Sequence, residues 1–357
     1  MLQGPNDPSI YARRVPNMPR DSVLILAVRE TFGMLLSASK MQRVVTRREA
    51  VSLFFMLCSA GCIRNRSKLV VGFSQMENNN PWRIAQTNSM RAEAERRGNK
   101  YEILITDAQG QTAKQVADVE DLIARRVSAL FLAPREFEGL APALESAKDA
   151  GIPVFLIDRE AEGKAGEDYV CFLGSDFVKQ AEQVADWLVR HTHGKASIAE
   201  LTGTPGSSVA RDRSLGFANR LKNEPGMKII ASQSADFSRA TAQGVMENLV
   251  QALRNEITAV YAQNDEMALG AITALKSAGL RPGVDVTVVS VDGEKAALEA
   301  IMRGELGATA ESNPRFGPLA FETLERHRLG EQIPSKIILR DNFFDASNAG
   351  QFISTAY

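Results

Sequence analysis

From residue 69 onward, the chain alternates short apolar runs with longer segments whose apolar residues recur three and four positions apart. The runs at 69–73, 101–105, 129–133 and 152–157 read as strands, and the segments at 82–97, 112–125 and 140–150 as helices, the first of them stopped by Gly98. A polar stretch, 159–168, breaks the rhythm, which then restarts. Strands are expected at 169–173, 197–201, 228–233, 259–261 and 286–291, with helices at 177–190, 208–221, 240–253, 266–278 and 295–302. A helix at 316–328 and a strand at 336–339 close the pattern. Strands separated by helices of this length imply parallel βαβ units with right-handed crossovers. Two such rhythms, each on the order of 100 residues, imply two similar lobes. The fold class expected is therefore α/β, with two Rossmann-like lobes built on parallel sheets.

Within this pattern the run Gly-Ile-Pro-Val-Phe-Leu-Ile-Asp-Arg at 151–159 is the most informative. Its apolar stretch suits a strand buried on both faces. It ends abruptly in Asp158 and Arg159. In an open α/β sheet, ligands sit beyond the carboxyl ends of the strands, so a carboxylate and a guanidinium there face a crevice.

The first 67 residues read as a leader. Residues 1–40 have no legible pattern, and translation is expected to begin at Met41, with a genuine N-terminal extension as the alternative. Arg43, Arg47 and Arg48 precede a short apolar stretch at 50–61, the layout of an export signal. Thr46-Arg47-Arg48 resembles a twin-arginine signal, and Ser59-Ala60-Gly61-Cys62 resembles a bacterial lipoprotein cleavage site with Cys62 as the lipidated residue. Of three cysteines, Cys58 and Cys62 lie in this leader, so Cys171 has no internal disulfide partner and reads as a small buried hydrophobe.

Composition narrows the function. The 357 residues are 44% hydrophobic with a net charge of −1, so no basic field points to nucleic acid. No apolar run reaches the roughly 18 residues of a membrane span. The chemistry-bearing residues gather where strands end. After the first comes Asn80-Pro81-Trp82-Arg83, with Pro81 at a helix start and Trp82 either over the crevice or packed on the core. Gly203-Thr204-Pro205-Gly206 lacks the Lys-Ser/Thr of a phosphate loop and reads as a structural turn. Arg211, Asp212 and Arg213 follow, then Asp236-Phe237, then Asn264-Asp265, of which one caps a helix and the other is free for a ligand. Asp292 and Glu311 end two further strands. Asp, Asn and Arg side chains with aromatics on one edge of two sheets suit the paired hydroxyls of a sugar. His191 and His193 stand at a helix end, where histidine favours the helix dipole over a metal site.

Pro-Val-Phe-Leu-Ile-Asp-Arg, Ala-Arg-Asp-Arg-Ser-Leu-Gly-Phe, Ala-Asp-Phe-Ser-Arg, Ala-Gln-Asn-Asp-Glu-Met and Val-Asp-Gly, in this order, resemble the periplasmic sugar-binding proteins of ABC importers, in the ribose and galactofuranose branches. The resemblance runs from Lys68 to the C-terminus. It implies two lobes joined by three hinge strands that close on one monosaccharide. The N-terminal lobe would comprise 68–172 and 313–340, and the C-terminal lobe 173–312 and 341–357. Carried over by position, Asn80, Trp82, Arg83, Asp158 and Arg159 line the first lobe. Arg213, Phe237, Asn264 and Asp292 line the second, Glu311 lies near the hinge, and Trp82 and Phe237 sandwich the ring. Asn79 stands where the galactofuranose branch leads one to expect an acid, Arg83 replaces an aromatic of the ribose branch, and Ser312 replaces a glutamine, so the pocket is a mixture.

The resemblance further implies a monomer exported to the periplasm, with a permease as partner, no cofactor and no metal. A chemoreceptor or sensor kinase is an alternative recipient of the liganded form. A glycosidase-like enzyme is a remote alternative, because Arg159 and Arg213 are expected to keep nearby carboxylates ionised and unsuited to a general acid.

Overall fold

The computed structural model describes residues 68–253 and 256–357. The leader, with Met41, the twin-arginine stretch and Cys62, lies outside the described residues. Five strands of the first half form one sheet: β1 (Leu69–Gln75), β2 (Tyr101–Asp107), β3 (Leu130–Leu132), β4 (Val154–Ile157) and β5 (Cys171–Gly174). Helices α1 (Pro81–Arg96), α2 (Thr112–Ala124) and α3 (Ala141–Asp149) connect them. The second sheet holds β6 (Ala196–Thr202), β7 (Met227–Ser234), β8 (Ala259–Ala262), β9 (Thr287–Asp292) and β10 (Ala308–Glu311). Its helices are α4 (Phe177–His191), α5 (Ser208–Leu221), α6 (Arg239–Leu253), α7 (Asp265–Ser277) and α8 (Lys295–Met302). The chain then returns through α9 (Gly317–Arg328) and β11 (Lys336–Ile338) to the first lobe, and ends with β12 (Phe343–Asp345) and α10 (Ala349–Phe352) in the second.

The strand orders are β2-β1-β3-β4-β5-β11 and β7-β6-β8-β9-β10-β12, the same arrangement twice. In each, the first two βα connections run in opposite directions, so the order reverses between β1 and β3 and between β6 and β8. Those switch points open a crevice at the strand carboxyl ends. Every strand pair in the first sheet is parallel; β12 runs antiparallel to β10 and is the exception in the second. A strand entering the second lobe directly from β11, with no intervening helix, has no choice but to pair from the opposite direction.

Burial explains the strands. All four residues of β4 are buried, as are all four of β5 and of β8, which requires helices on both faces. In the first lobe Phe131, Phe155 and Phe321 meet, with ring centroids 5.7 and 5.3 Å apart. In the second lobe Phe217 stacks on Tyr261 at 3.9 Å.

The chain passes between the lobes three times, after β5, after β10 and after β11. These passages are tied to one another. Gln180 Nε2 donates to the Glu311 carbonyl at 2.9 Å and to Asp341 Oδ2 at 2.8 Å, and Ser175 Oγ donates to Asp341 Oδ1 at 3.1 Å. Burial pushes the Asp341 carboxyl up to about 6, against these donors.

Candidate functional site

The β1–α1 loop begins the site. Asn80 is extended and caps α1, its Oδ1 accepting from the Arg83 amide at 2.9 Å, and Pro81 occupies the first turn, where no amide donor is needed. This fixes Trp82 and Arg83 at the helix start, both buried. Trp82 satisfies both readings made of it. Its Nε1 donates to the Ser312 carbonyl at 2.7 Å and its ring meets Phe316 edge-on, while it also lines a cavity.

At the end of β4 the backbone turns sharply, with φ of 68° at Asp158, a left-handed conformation that Asp tolerates better than most residues. The turn sets the Asp158 carboxylate 2.7 Å from Arg83 Nη1 and 4.0 Å from Arg159 Nε. Arg159 is buried and donates through Nη1 to the Arg135 carbonyl at 2.6 Å. Burial, then the neighbouring Arg83, lowers its pKa to about 9, so it still carries its proton at neutral pH.

The second lobe answers across the crevice. Arg213 on α5 lies 3.1 Å from Asp292 Oδ1 and 3.2 Å from Gln180 Oε1, and it also donates to the Gln263 carbonyl. Phe237 also has a left-handed backbone, φ 55°, and its ring lies under Arg159 at 5.3 Å. Gly203 makes that possible, because a Cβ there would meet the Phe237 ring at 1.9 Å. The glycine-rich turn therefore makes room for a ring, and Ser207 closes it by capping α5.

These residues surround one cavity, whose empty volume, counting space open to solvent, is about 350 Å³. It is lined by Asn80, Trp82, Arg83, Asp158, Arg159, Arg213, Phe237, Asn264 and Asp292, nine of the ten expected residues. Glu77, Val209 and Ser312 complete it. Three guanidiniums, of Arg83, Arg159 and Arg213, share the wall with three carboxyl groups, of Glu77, Asp158 and Asp292. Among the described residues, buried Nε atoms of Arg159 and Arg213 have no hydrogen-bond acceptor, as suits a wall built for oxygen atoms of a ligand.

Three expectations need correction. Glu311 is not in this cavity. It stays near the hinge, where its carboxylate accepts from the Asn342 amide at 3.0 Å and from the Asn342 side chain, while Ser312, the first residue past β10, lines the cavity. Asn264 and Asp265 do not divide capping from ligand as expected. Asn264 both caps α7, accepting from Met267 N at 2.9 Å, and lines the cavity. Asp265 is buried behind it, accepting from Ser290 Oγ, from Thr309 Oγ1 at 2.8 Å and from the Glu294 amide at 2.7 Å. Nor does Arg213 hold Asp292 in the ordinary carboxylate range: burial pushes the carboxyl well above it, outweighing the guanidinium.

Glu77 was within reach of the sequence, since it follows β1 as Asn80 does and is the one acid between Met76 and Arg83. Ser312 was marked only as standing in for a glutamine of the family pattern, and Val209 carries no chemical signal.

Residues 71–332 match the family described as the periplasmic binding protein domain. The chain belongs to this family. It is 42% identical over 274 residues to the galactofuranose-binding protein YtfQ of Escherichia coli K12, covering 76% of this chain and 86% of that one. Against the ribose import binding protein RbsB of Bacillus subtilis 168 it is 38% identical over 274 residues, with the same coverage. A crystal structure of a galactofuranose binding protein superposes with a TM-score of 0.78 at 39% identity, covering 80% of this chain and 98% of that one. The fold class and the family resemblance read from the motifs are both borne out. The family is one of extracytoplasmic solute-binding proteins, not enzymes.

Proposed function

We propose that this protein captures one neutral monosaccharide between its two lobes and delivers it to an ABC importer. The observation that carries the reading is the meeting of three arginines, three carboxyl groups and two aromatic side chains, Trp82 and Phe237, in one buried cavity lined from both lobes. Adjacent hydroxyls pair well with planar carboxylate, amide and guanidinium groups. Each hydrogen bond to a charged group contributes roughly 1.5–3 kcal/mol, so four or five exceed the ordering cost and leave micromolar affinity or better, about −8 kcal/mol.

A ligand touching both lobes binds the closed form better than the open one and shifts the population toward closure. The three tied passages form the hinge in this reading. The family relatives bind galactofuranose and ribose, and this chain's sugar is of that kind, a pentose or hexose. Twin-arginine export and lipidation at Cys62 belong to the same reading. N-terminal mass spectrometry of the native protein tests them.

A thermal-shift screen against pentoses and hexoses, followed by calorimetry, tests the main proposal. A cognate sugar at 100 times its Kd stabilises the folded protein by about 2.7 kcal/mol. A panel in which no monosaccharide raises Tm overturns it.

A further inference from the structure

We propose that Glu77 determines specificity by accepting the terminal hydroxyl of the bound sugar, so that the site selects a hexose over its pentose or deoxy counterpart. The inference rests on the monosaccharide reading. Its ground is a difference among the three acids of the cavity. Asp158 is committed to Arg83 at 2.7 Å, and Asp292 to Arg213 at 3.1 Å. Glu77 is buried as they are, but its protein contacts are longer: Asn79 Nδ2 at 3.2 Å and Arg135 Nη1 at 3.5 Å. Among the described residues, both contacts converge on Oε2, and Oε1 is left without a protein donor, as are Asp158 Oδ1 and Asp292 Oδ2; what sets Glu77 apart is that its one paired oxygen is also loosely held.

The position of Glu77 says which part of a ligand it meets. One end of the cavity is fixed at the hinge, where Trp82 Nε1 bonds the Ser312 carbonyl and the Ser312 amide bonds the Asp292 carbonyl. Glu77 has its contacts elsewhere, with Asn79 and Arg135. Its partner Arg135 reaches 3.5 Å from Asp236, whose side chain is 46% exposed, so the line Glu77–Arg135–Asp236 leads from the cavity to solvent. A sugar ring held by Trp82, Asp158 and Arg213 presents its exocyclic end toward Glu77. Only a donor is accommodated there. A ligand carboxylate is repelled, and a methyl group desolvates Oε1 while giving nothing in return.

D-galactose, D-fucose and L-arabinose separate these cases, because they share ring configuration and differ only in a terminal CH2OH, CH3 or hydrogen. In the furanose forms D-fucose and L-arabinose keep the exocyclic C5 hydroxyl, so there the comparison reads the C6 hydroxyl alone. Calorimetry of the parent, Glu77→Gln and Glu77→Ala with each sugar reads the effect. The parent is expected to bind D-galactose on the order of tenfold to a hundredfold more tightly than D-fucose or L-arabinose. Glu77→Ala brings the three affinities to within about threefold, and Glu77→Gln, which keeps the shape and a neutral acceptor, falls between. Urea unfolding confirms that each variant is folded, and Glu77→Gln alone suffices should Glu77→Ala not fold. A preference for D-galactose that survives in the variants overturns the assignment. So does an equal loss for all three sugars, which marks a structural role, or a parent that binds the three alike. A parent that binds none of them but binds another monosaccharide overturns this assignment and leaves the function standing. A parent that binds no monosaccharide overturns both.

Discussion

Replacing Asp158 by Asn tests the electrostatic centre of the cavity while sparing the backbone. Asn tolerates the left-handed φ of 68°, whereas Ala adds about 1–2 kcal/mol of strain unrelated to charge. The substitution removes a carboxylate 2.7 Å from Arg83 and 4.0 Å from Arg159, with the Arg83 and Asp158 side chains only 6% and 5% exposed. At an effective dielectric of about 20, the two gross attractions amount to roughly 6 and 4 kcal/mol, most of which is offset by desolvation of the ions. What remains after the change is a buried Arg83 facing only neutral acceptors there, Gln86 Oε1 at 3.1 Å and the amide oxygen of the new side chain. Uncompensated buried charge of this kind costs about 3–5 kcal/mol. Asp158→Asn is therefore expected to lower the free energy of unfolding without sugar by about 3 kcal/mol and to weaken sugar binding at least tenfold. Because the pair is shielded from solvent, the stability loss should change little between low and high salt. Urea unfolding followed by fluorescence of Trp82 and Trp187 measures the first, and calorimetry the second. A variant within about 0.5 kcal/mol of the parent, binding as tightly, refutes the argument that this pair organises the cavity.

Arg213→Ala leaves Asp292 buried without its guanidinium and should weaken binding at least tenfold; calorimetry checks it. Gly203→Ala drives a Cβ to 1.9 Å from the Phe237 ring, so affinity should fall while far-ultraviolet circular dichroism stays unchanged. Burial holds Asp341 up at about 6, above its unfolded range near 3.9, so the folded protein keeps a proton that the unfolded chain loses first. That contribution is fully present below pH 4 and is lost as pH rises through 6. The stability of Asp341→Asn relative to the parent should accordingly increase between pH 5 and 7 in urea titrations. Burial pushes the Cys171 thiol up to about 12, so thiol reagents should modify it only in denaturant, as mass spectrometry of the labelled protein would record.

The order of strands and helices, the two lobes and the strand ends that carry chemistry were all legible along the chain, because apolar periodicity and helix caps are local properties. So was most of the cavity, since residues at successive strand ends are brought to one edge by any parallel sheet. What only the tertiary structure decided is which way neighbouring side chains turn. Glu311 ends β10 and Ser312 follows it, yet the serine, not the acid, lines the cavity, because Glu311 is taken up by Asn342 on another passage. Asn264 caps and lines at once, while Asp265 turns into a buried hydroxyl network; either residue type can do either task. The rise of Asp292 above the carboxylate range depends on how completely the lobes exclude water from it, against an arginine that favours its charge. Glu77 gained its place only when the β1–α1 loop met Arg135 and, through it, Asp236 of the other lobe. Local sequence specifies elements and their edges. Burial, charge pairing and facing direction arise between segments far apart in the chain, and those only the folded arrangement sets.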